Sequence, residues 1–94
     1  MQVLYNDTAT RRIIYCGYDM KLSRIEYKIF CCIWENGKEY ISADQIIQKC
    51  YVGKKPQKGD IAAHICHINR KSRNIERVLI VSKYGVGYRL TDHP

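Results

Sequence analysis

The sequence carries three successive helix-start signals followed by a glycine-rich hairpin pattern, and no other feature restricts its fold as much. Residues 23–26 (Ser-Arg-Ile-Glu) and 42–45 (Ser-Ala-Asp-Gln) are capping boxes, in which the first and last residues each bond the other's backbone amide. Asp60 can cap a third helix, because its carboxylate accepts hydrogen bonds from the free amides of a first turn. Apolar residues at helical spacing follow each signal. The pattern predicts a three-helix core that precedes a hairpin.

The helix lengths follow from stop signals and from the apolar repeat. The first helix should run from about residue 24 to residue 35, because Asn36 and Gly37 tolerate the left-handed conformation that ends helices. The second should be short, and the third should span residues 60–74. The core face of the third helix consists of isoleucines at positions i, i+4 and i+7, namely Ile61, Ile65 and Ile68.

Short strands are predicted on both sides of the helices. Residues 39–41 are long enough for one β-bridge, and the two glycines within residues 83–87 permit a hairpin. The strands themselves, rich in β-branched and aromatic residues, are expected at 3–5, 12–16, 18–21, 78–82 and 88–91. We therefore expect one α+β domain over residues 1–94, with an N-terminal antiparallel sheet (1–21), a three-helix core (22–75) and a C-terminal hairpin (76–91).

Charge gives the first indication of function. The chain has a formal net charge of +7 and a pI of about 9.3. Residues 1–48 hold six basic and six acidic side chains, whereas residues 49–94 hold ten basic and three acidic ones. This imbalance favours a polyanionic partner such as nucleic acid, although from charge alone a solvated basic face with no partner remains an alternative.

Other function classes are disfavoured. The longest apolar run, residues 29–34, is far shorter than the roughly 20 residues of a membrane-spanning helix, and the N-terminus lacks a secretory signal pattern. We expect a cytoplasmic protein with no membrane partner. Its five cysteines are odd in number and contain no C-x-x-C pair, which fits a reducing compartment.

Metal and catalytic chemistry are not expected from the sequence. His64, Cys66 and His67 are close together, but on a helix His64 and Cys66 point about 200° apart and cannot jointly hold one ion. No cluster of carboxylates or oriented Cys-His pair is recognisable. We therefore expect no metal, no cofactor and no enzyme.

Three motifs resemble one family. The residues Leu22-Ser23-x-x-Glu26-Tyr27 resemble the L-T-x-x-E-F that opens helix one in the effector domains of OmpR/PhoB-type response regulators. Residues 64–70 (His-Ile-Cys-His-Ile-Asn-Arg) resemble the H-I-x-x-L-R-K end of that family's V-D-V-H-I-x-x-L-R-K recognition helix, and residues 85–90 (Gly-Val-Gly-Tyr-Arg-Leu) resemble its closing G-x-G-Y-R-[FL] pattern. The resemblance covers essentially the whole chain, including the N-terminal sheet. It implies a winged helix-turn-helix, in which the hairpin is the wing.

The resemblance also implies sequence-specific DNA binding and transcriptional regulation. Helix 60–74 would enter the major groove, and the wing (82–87) would touch the minor groove or the backbone. Ala63 and His67 match base-contacting positions of the family, whereas Arg73 follows from the helical wheel alone. The remaining positions match phosphate, base, wing or backbone contacts, and the full predicted set is Tyr51, Ala63, Cys66, His67, Asn69, Arg70, Arg73, Ser82 and Tyr84.

Departures from the family keep a second function open. Family members commonly carry arginine at the positions of Cys66, His67, Asn69 and Tyr84, so target sequence cannot be transferred from relatives. The alternative is a winged-helix protein-interaction module with a degenerated DNA-reading face. The family further implies head-to-tail pairing on direct repeats and a contact between loop 51–59 and RNA polymerase. No receiver domain is recognisable, so the sequence indicates either an excised effector domain of a two-component system or a stand-alone regulator.

Overall fold

The structure is a computed structural model that describes residues 4–53, 55–72 and 78–91. Its strands and helices are segregated along the chain as expected for an α+β domain, with a sheet, three helices and a hairpin in that order. The predicted winged-helix architecture is thereby confirmed. The elements are β1 (Leu4–Asp7), β2 (Arg12–Tyr15), β3 (Tyr18–Asp19), α1 (Arg24–Glu35), α2 (Ala43–Cys50), α3 (Lys58–Lys71), β4 (Ile80–Lys83) and β5 (Gly87–Leu90).

The N-terminal sheet is antiparallel, with the strand order β1-β2-β3. Leu4 pairs with Tyr15, and Tyr15 with Tyr18, so the three strands form a meander. Strand β1 extends to Asp7, beyond the predicted end, and β3 stops at Asp19, two residues earlier than predicted. One face of the sheet is buried through Leu4, Ile13 and Met20.

The first two helices begin at the predicted capping boxes. The Ser23 amide donates to Glu26 Oε1 over 2.8 Å, and the Ser42 amide donates to Gln45 Oε1 over 3.0 Å. In return the amides of Glu26 and Gln45 donate to the serine hydroxyls. These local signals place the starts of α1 and α2 correctly because every bond lies within three residues.

The start of α3 differs from the prediction. Gln57, not Asp60, is the N-cap, and the helix begins at Lys58. Asp60 stabilises the same turn from its third position, where its carboxylate accepts the Gln57 amide over 3.0 Å. The helix ends at Lys71, so residue 72 is a C-cap rather than a helical residue, and residues 73–74 of the predicted helix lie outside the described residues.

The core lies between the three helices, the buried face of the N-terminal sheet and the C-terminal hairpin. Its fully buried members are mainly isoleucines, with Phe30 meeting Trp34 edge-to-face at 5.8 Å. As predicted, the inward face of α3 contributes its three isoleucines at i, i+4 and i+7. This burial fixes which face of α3 points outward. Within the described residues no helix has the length and apolar character needed to cross a membrane.

A β-bridge ties the C-terminal hairpin to the segment that precedes α2. Ile41 and Tyr88 exchange two backbone hydrogen bonds of 2.8 and 2.9 Å, as the one-bridge prediction for residues 39–41 requires. Strands β4 and β5 pair from Ile80–Leu90 to Lys83–Gly87. Strand β4 starts two residues later than predicted and β5 one residue earlier. The bridge holds the hairpin of β4 and β5, whose tip is the wing (82–87), beside the start of α2.

Candidate nucleic-acid interface

The outward face of α3 is built from small and basic residues. The burial of the isoleucine face leaves the opposite side in solvent, because each residue of a helix is rotated by about 100° from the one before it. We call its exposed members the outward face, and they are Ala62, Ala63, Cys66, His67 and Arg70. Two alanines and a cysteine leave room for another molecule's surface to approach the helix backbone closely. These five positions include no acidic residue, and the acidic residue of α3 is Asp60, exposed in the first turn of the helix.

A shallow groove joins this face to the wing. Its floor includes Val78, an apolar residue that is 45% exposed. The structure thus brings together four residues of the predicted site: Cys66, Asn69 and Arg70 from α3 and Ser82 from β4. Tyr88 also lines the groove, and it was not among the predicted site residues. The alternation of side chains between the two faces of β5 is the sequence signal that could have indicated it.

Asn69 holds the wing against α3. Its side-chain Nδ2 donates to the Ile80 carbonyl over 3.0 Å, and its Oδ1 accepts the Ile80 amide over 2.8 Å. The Asn69 side-chain amide therefore satisfies the backbone groups of Ile80 at the start of β4, as a neighbouring strand would do. The structure gives this predicted DNA-contacting residue a positioning role, since it fixes the angle between the groove's two walls.

We expect Asn69→Ala to destabilise the fold by about 1–3 kcal/mol, because the Ile80 amide and carbonyl lose their partners in a half-buried place. Thermal unfolding should record a loss of about 4–8 °C in Tm per kcal/mol. Gln48→Ala is the matched control, because it removes an exposed amide side chain from α2. Equal Tm values for the two variants would refute this role for Asn69.

The wing tip projects into solvent. Tyr84 has 104% exposure, and Ser82 and Lys83 beside it are also exposed. Lys83 Nζ lies 5.8 Å from the centre of the Tyr40 ring, and the Arg89 guanidinium lies 5.2 Å from it. Both predicted wing residues, Ser82 and Tyr84, are therefore accessible. The two cations of the hairpin, Lys83 and Arg89, lie over the Tyr40 ring and do not line the groove.

Tyr51 lies apart from the groove. It is the C-cap of α2, and its ring is half-buried against the core. Burial, with smaller contributions from Cys50 and Asp60, raises the pKa of the Tyr51 phenol, so the hydroxyl stays neutral. Arg73, the remaining predicted contact, lies outside the described residues.

The cations around α3 differ in how they are engaged. Lys58 Nζ lies 3.4 Å from Asp44 in an exposed pair, and Lys71 Nζ lies 2.6 Å from Glu26. Arg70 forms no ion pair with any residue in the described ranges. Its guanidinium is therefore the charge on the outward face that is most available to an anionic partner.

The Glu26 carboxylate joins the first and third helices. It is only 4% exposed, and it accepts hydrogen bonds from the Ser23 amide and from Lys71. Burial alone would raise the pKa of Glu26, but these bonds and the Lys71 charge outweigh burial and hold the pKa below its ordinary value of 4.5. The carboxylate is therefore ionised at neutral pH.

Both α3 histidines lie beside Glu26. One ligand atom from each of Glu26, His64 and His67 lies within 4.8 Å of the others. His67 is exposed, as a DNA-contacting residue must be, but it occupies the edge of the outward face nearest α1. The angle between His64 and Cys66 on a helical wheel does not reveal this grouping. The i, i+3 spacing of His64 and His67, which places both on one side of α3, could have indicated it.

The fold and this surface define a winged helix-turn-helix domain with an N-terminal sheet and a basic, small-residue face on its third helix. Residues 17–90 match the family model described as "Transcriptional regulatory protein, C terminal". The chain belongs to this family, that of the OmpR/PhoB-type effector domains. No curated protein sequence matches the chain.

Solved structures of the same fold include two that contain DNA. The DNA-binding domain of the response regulator AdeR, solved with an intercistronic region, is 20% identical with a TM-score of 0.81, over 100% of this chain and 98% of that chain. The RstA DNA-binding domain of Klebsiella pneumoniae, solved with its RstA box, is 16% identical with a TM-score of 0.81, over 98% and 94%. DrrB, an OmpR/PhoB homolog of Thermotoga maritima, is 17% identical with a TM-score of 0.82, and the match covers 97% of this chain but 42% of DrrB. At these identities the likeness shows the fold.

Proposed function

We propose that the protein is a sequence-specific DNA-binding transcriptional regulator, with α3 in the major groove and the wing at the minor groove or the backbone. The observation that carries the proposal is the outward face of α3, where small residues adjoin Arg70 beside an accessible wing. Small side chains permit close approach to base edges, and cations neutralise phosphates and release counterions. The DNA complexes of AdeR and RstA, which have the same fold, support this assignment.

Each predicted site residue has a place in this arrangement. Ala63 and His67 are proposed to face bases, while Cys66, Arg70 and Arg73 contact bases or phosphates. Asn69 contacts DNA with the hydrogen-bonding capacity that its bonds to Ile80 leave over. Ser82, Tyr84 and Tyr51 contact the sugar-phosphate backbone from the wing and from the end of α2.

The test is binding to a pool of randomised DNA duplexes, followed by sequencing of the retained fraction. A surface that contacts about six phosphates should lose roughly a thousandfold in affinity between about 50 and 200 mM salt. We expect such salt-sensitive binding, measured by fluorescence anisotropy, together with enrichment of a short motif. Salt-sensitive binding without enrichment would contradict sequence-specific reading.

Head-to-tail pairing belongs to the same proposal. If two copies bind side by side, the enriched motif should appear as a direct repeat. A single half-site would contradict the pairing without affecting DNA binding itself. The proposed RNA polymerase contact involves residues 51–59, of which the last two belong to the first turn of α3 and Lys55 is exposed.

A protein-interaction module is the second candidate. The cysteine, histidine and asparagine that stand where relatives commonly carry arginine favour it, because guanidinium groups dominate the reading of guanine. Absence of DNA binding at both salt concentrations would select this candidate.

A further inference from the structure

We propose that Glu26, His64 and His67 form a site for a divalent transition metal of the zinc class, at the contact between α1 and α3. The donor set is two imidazoles and one carboxylate, the combination that holds zinc in three-ligand sites and leaves a fourth position for water. The site shares one residue, His67, with the proposed DNA contacts, whereas Glu26 and His64 are not among them. It unites residues that are 38 to 41 positions apart in the sequence.

The geometry is close to what such an ion requires. The three ligand atoms lie within 4.8 Å of one another. Tetrahedral zinc at about 2.0–2.1 Å from each ligand needs separations of roughly 3.3 Å. His67 is exposed on a helix whose backbone is fixed by the core, so rotation of its side chain can supply the remaining movement.

His64 has an unfilled bonding capacity. Its ring nitrogen Nδ1 is buried and has no hydrogen-bond partner within the described part of the chain. An unpaired buried nitrogen is costly, because it has lost its water and gained nothing in exchange. With the proton on Nε2, Nδ1 presents a lone pair, and coordination is one way to satisfy it.

The Glu26 carboxylate can serve as an anionic ligand. Its carboxylate is ionised and held in place by the capping box of α1. Among the described residues, both hydrogen bonds to this side chain end on Oε1, which leaves Oε2 to coordinate. Lys71 Nζ is the competing cation, 2.6 Å from Oε1. Because the Lys71 side chain is 37% exposed, it can move into solvent when a metal binds.

The test is isothermal titration calorimetry of the untagged protein with ZnCl2, with Co2+ as the spectroscopic probe. We expect one ion per chain and the visible absorption of four-coordinate Co2+. The titration is repeated on a Cys16→Ser, Cys66→Ser variant, because these exposed thiols are alternative zinc ligands. Binding that disappears with the two thiols would overturn the proposal.

Single substitutions then locate the ion. Loss of one outer partner of a metal ligand typically costs about 10–100-fold in affinity, so loss of a ligand in His67→Ala should weaken zinc at least about 100-fold. The fold of His67→Ala is checked by circular dichroism, and an exposed helical histidine should tolerate the change. His93→Ala, which alters the third histidine of the chain, is the matched control and should bind normally.

The effect of Lys71→Met on zinc affinity distinguishes this site from nonspecific binding elsewhere on the surface. Removal of the competing ammonium group should tighten zinc binding, because the ion becomes the main counter-charge of Glu26. Equal affinities for wild type, His67→Ala and Lys71→Met would overturn the site, as would failure of the wild type to bind either metal at millimolar concentration.

Discussion

Gly87→Ala should destabilise the protein more than any other single methyl addition in the wing. A Cβ atom on Gly87 would overlap the Ile41 carbonyl oxygen and come within 2.6 Å of the Ile41 carbonyl carbon. Its φ of +152° is also one that side chains rarely adopt. Because backbone atoms cannot swing aside as a flexible side chain can, the bridge between Ile41 and Tyr88 must open or shift.

The expected cost is about 3 kcal/mol or more, since overpacking costs about 1–3 kcal/mol and a positive φ about 1–2 kcal/mol. Thermal unfolding should show a Tm lower by about 15 °C or more. The wing would lose one of its two described hydrogen-bonded attachments to the helices and keep the bonds between Asn69 and Ile80, so binding of an enriched duplex should also weaken.

Gly85→Ala is the matched control for this prediction. Gly85 has a φ of +76° at the wing tip, but a Cβ there would meet nothing within 4 Å. Both variants reduce the freedom of the unfolded chain equally, so their difference measures the close approach to Ile41 together with the difference in backbone strain between φ values of +152° and +76°. If Gly85→Ala and Gly87→Ala lower Tm by the same amount, the contact does not control the stability of the wing.

Features that depend on neighbouring residues could be predicted from the sequence. The capping boxes of Ser23 and Ser42 set the starts of α1 and α2, because their bonds span three positions. The start of α3 was missed for a related reason. An aspartate can serve either at the N-cap or three residues later, so its presence alone does not fix the start of the helix. In the structure Gln57 is the N-cap and Asp60 is the third helical residue.

Features that depend on tertiary packing could not be predicted in the same way. The pairing of Asn69 with Ile80 replaces a strand partner, and nothing near Asn69 in the sequence indicates it. The bond between Glu26 and Lys71 spans 45 positions and depends on how α1 crosses α3. A helical wheel shows which side chains of α3 point outward, but it does not show what another helix brings beside them.

Arg70→Glu should reduce DNA affinity at least about 100-fold. Loss of one base or phosphate contact from a helix in the groove costs about 1–3 kcal/mol, and the new carboxylate adds repulsion from the phosphates. Arg70 is exposed and makes no ion pair with a described residue, so its replacement should leave the Tm nearly unchanged. Anisotropy titration with a duplex enriched from the random pool measures the effect.

Arg11→Glu separates a local contact from a general change in charge. Arg11 is exposed in the turn between β1 and β2, and its replacement alters the net charge by the same two units. Long-range attraction to DNA therefore falls equally in both variants, whereas the contact is lost in Arg70→Glu alone. Equal affinities for the two would contradict the assignment of α3 as the reading helix.

The cysteines provide an independent map of the same face. Cys66 on α3 and Cys16 in the β2–β3 turn are both exposed, while burial raises the pKa of the Cys50 thiol to about 12 and keeps it unreactive. Bound DNA should slow alkylation of Cys66 and leave Cys16 unaffected, provided that α3 enters the groove. Protection of Cys16 instead would move the interface to the N-terminal sheet, and Arg11→Glu would then be the damaging variant.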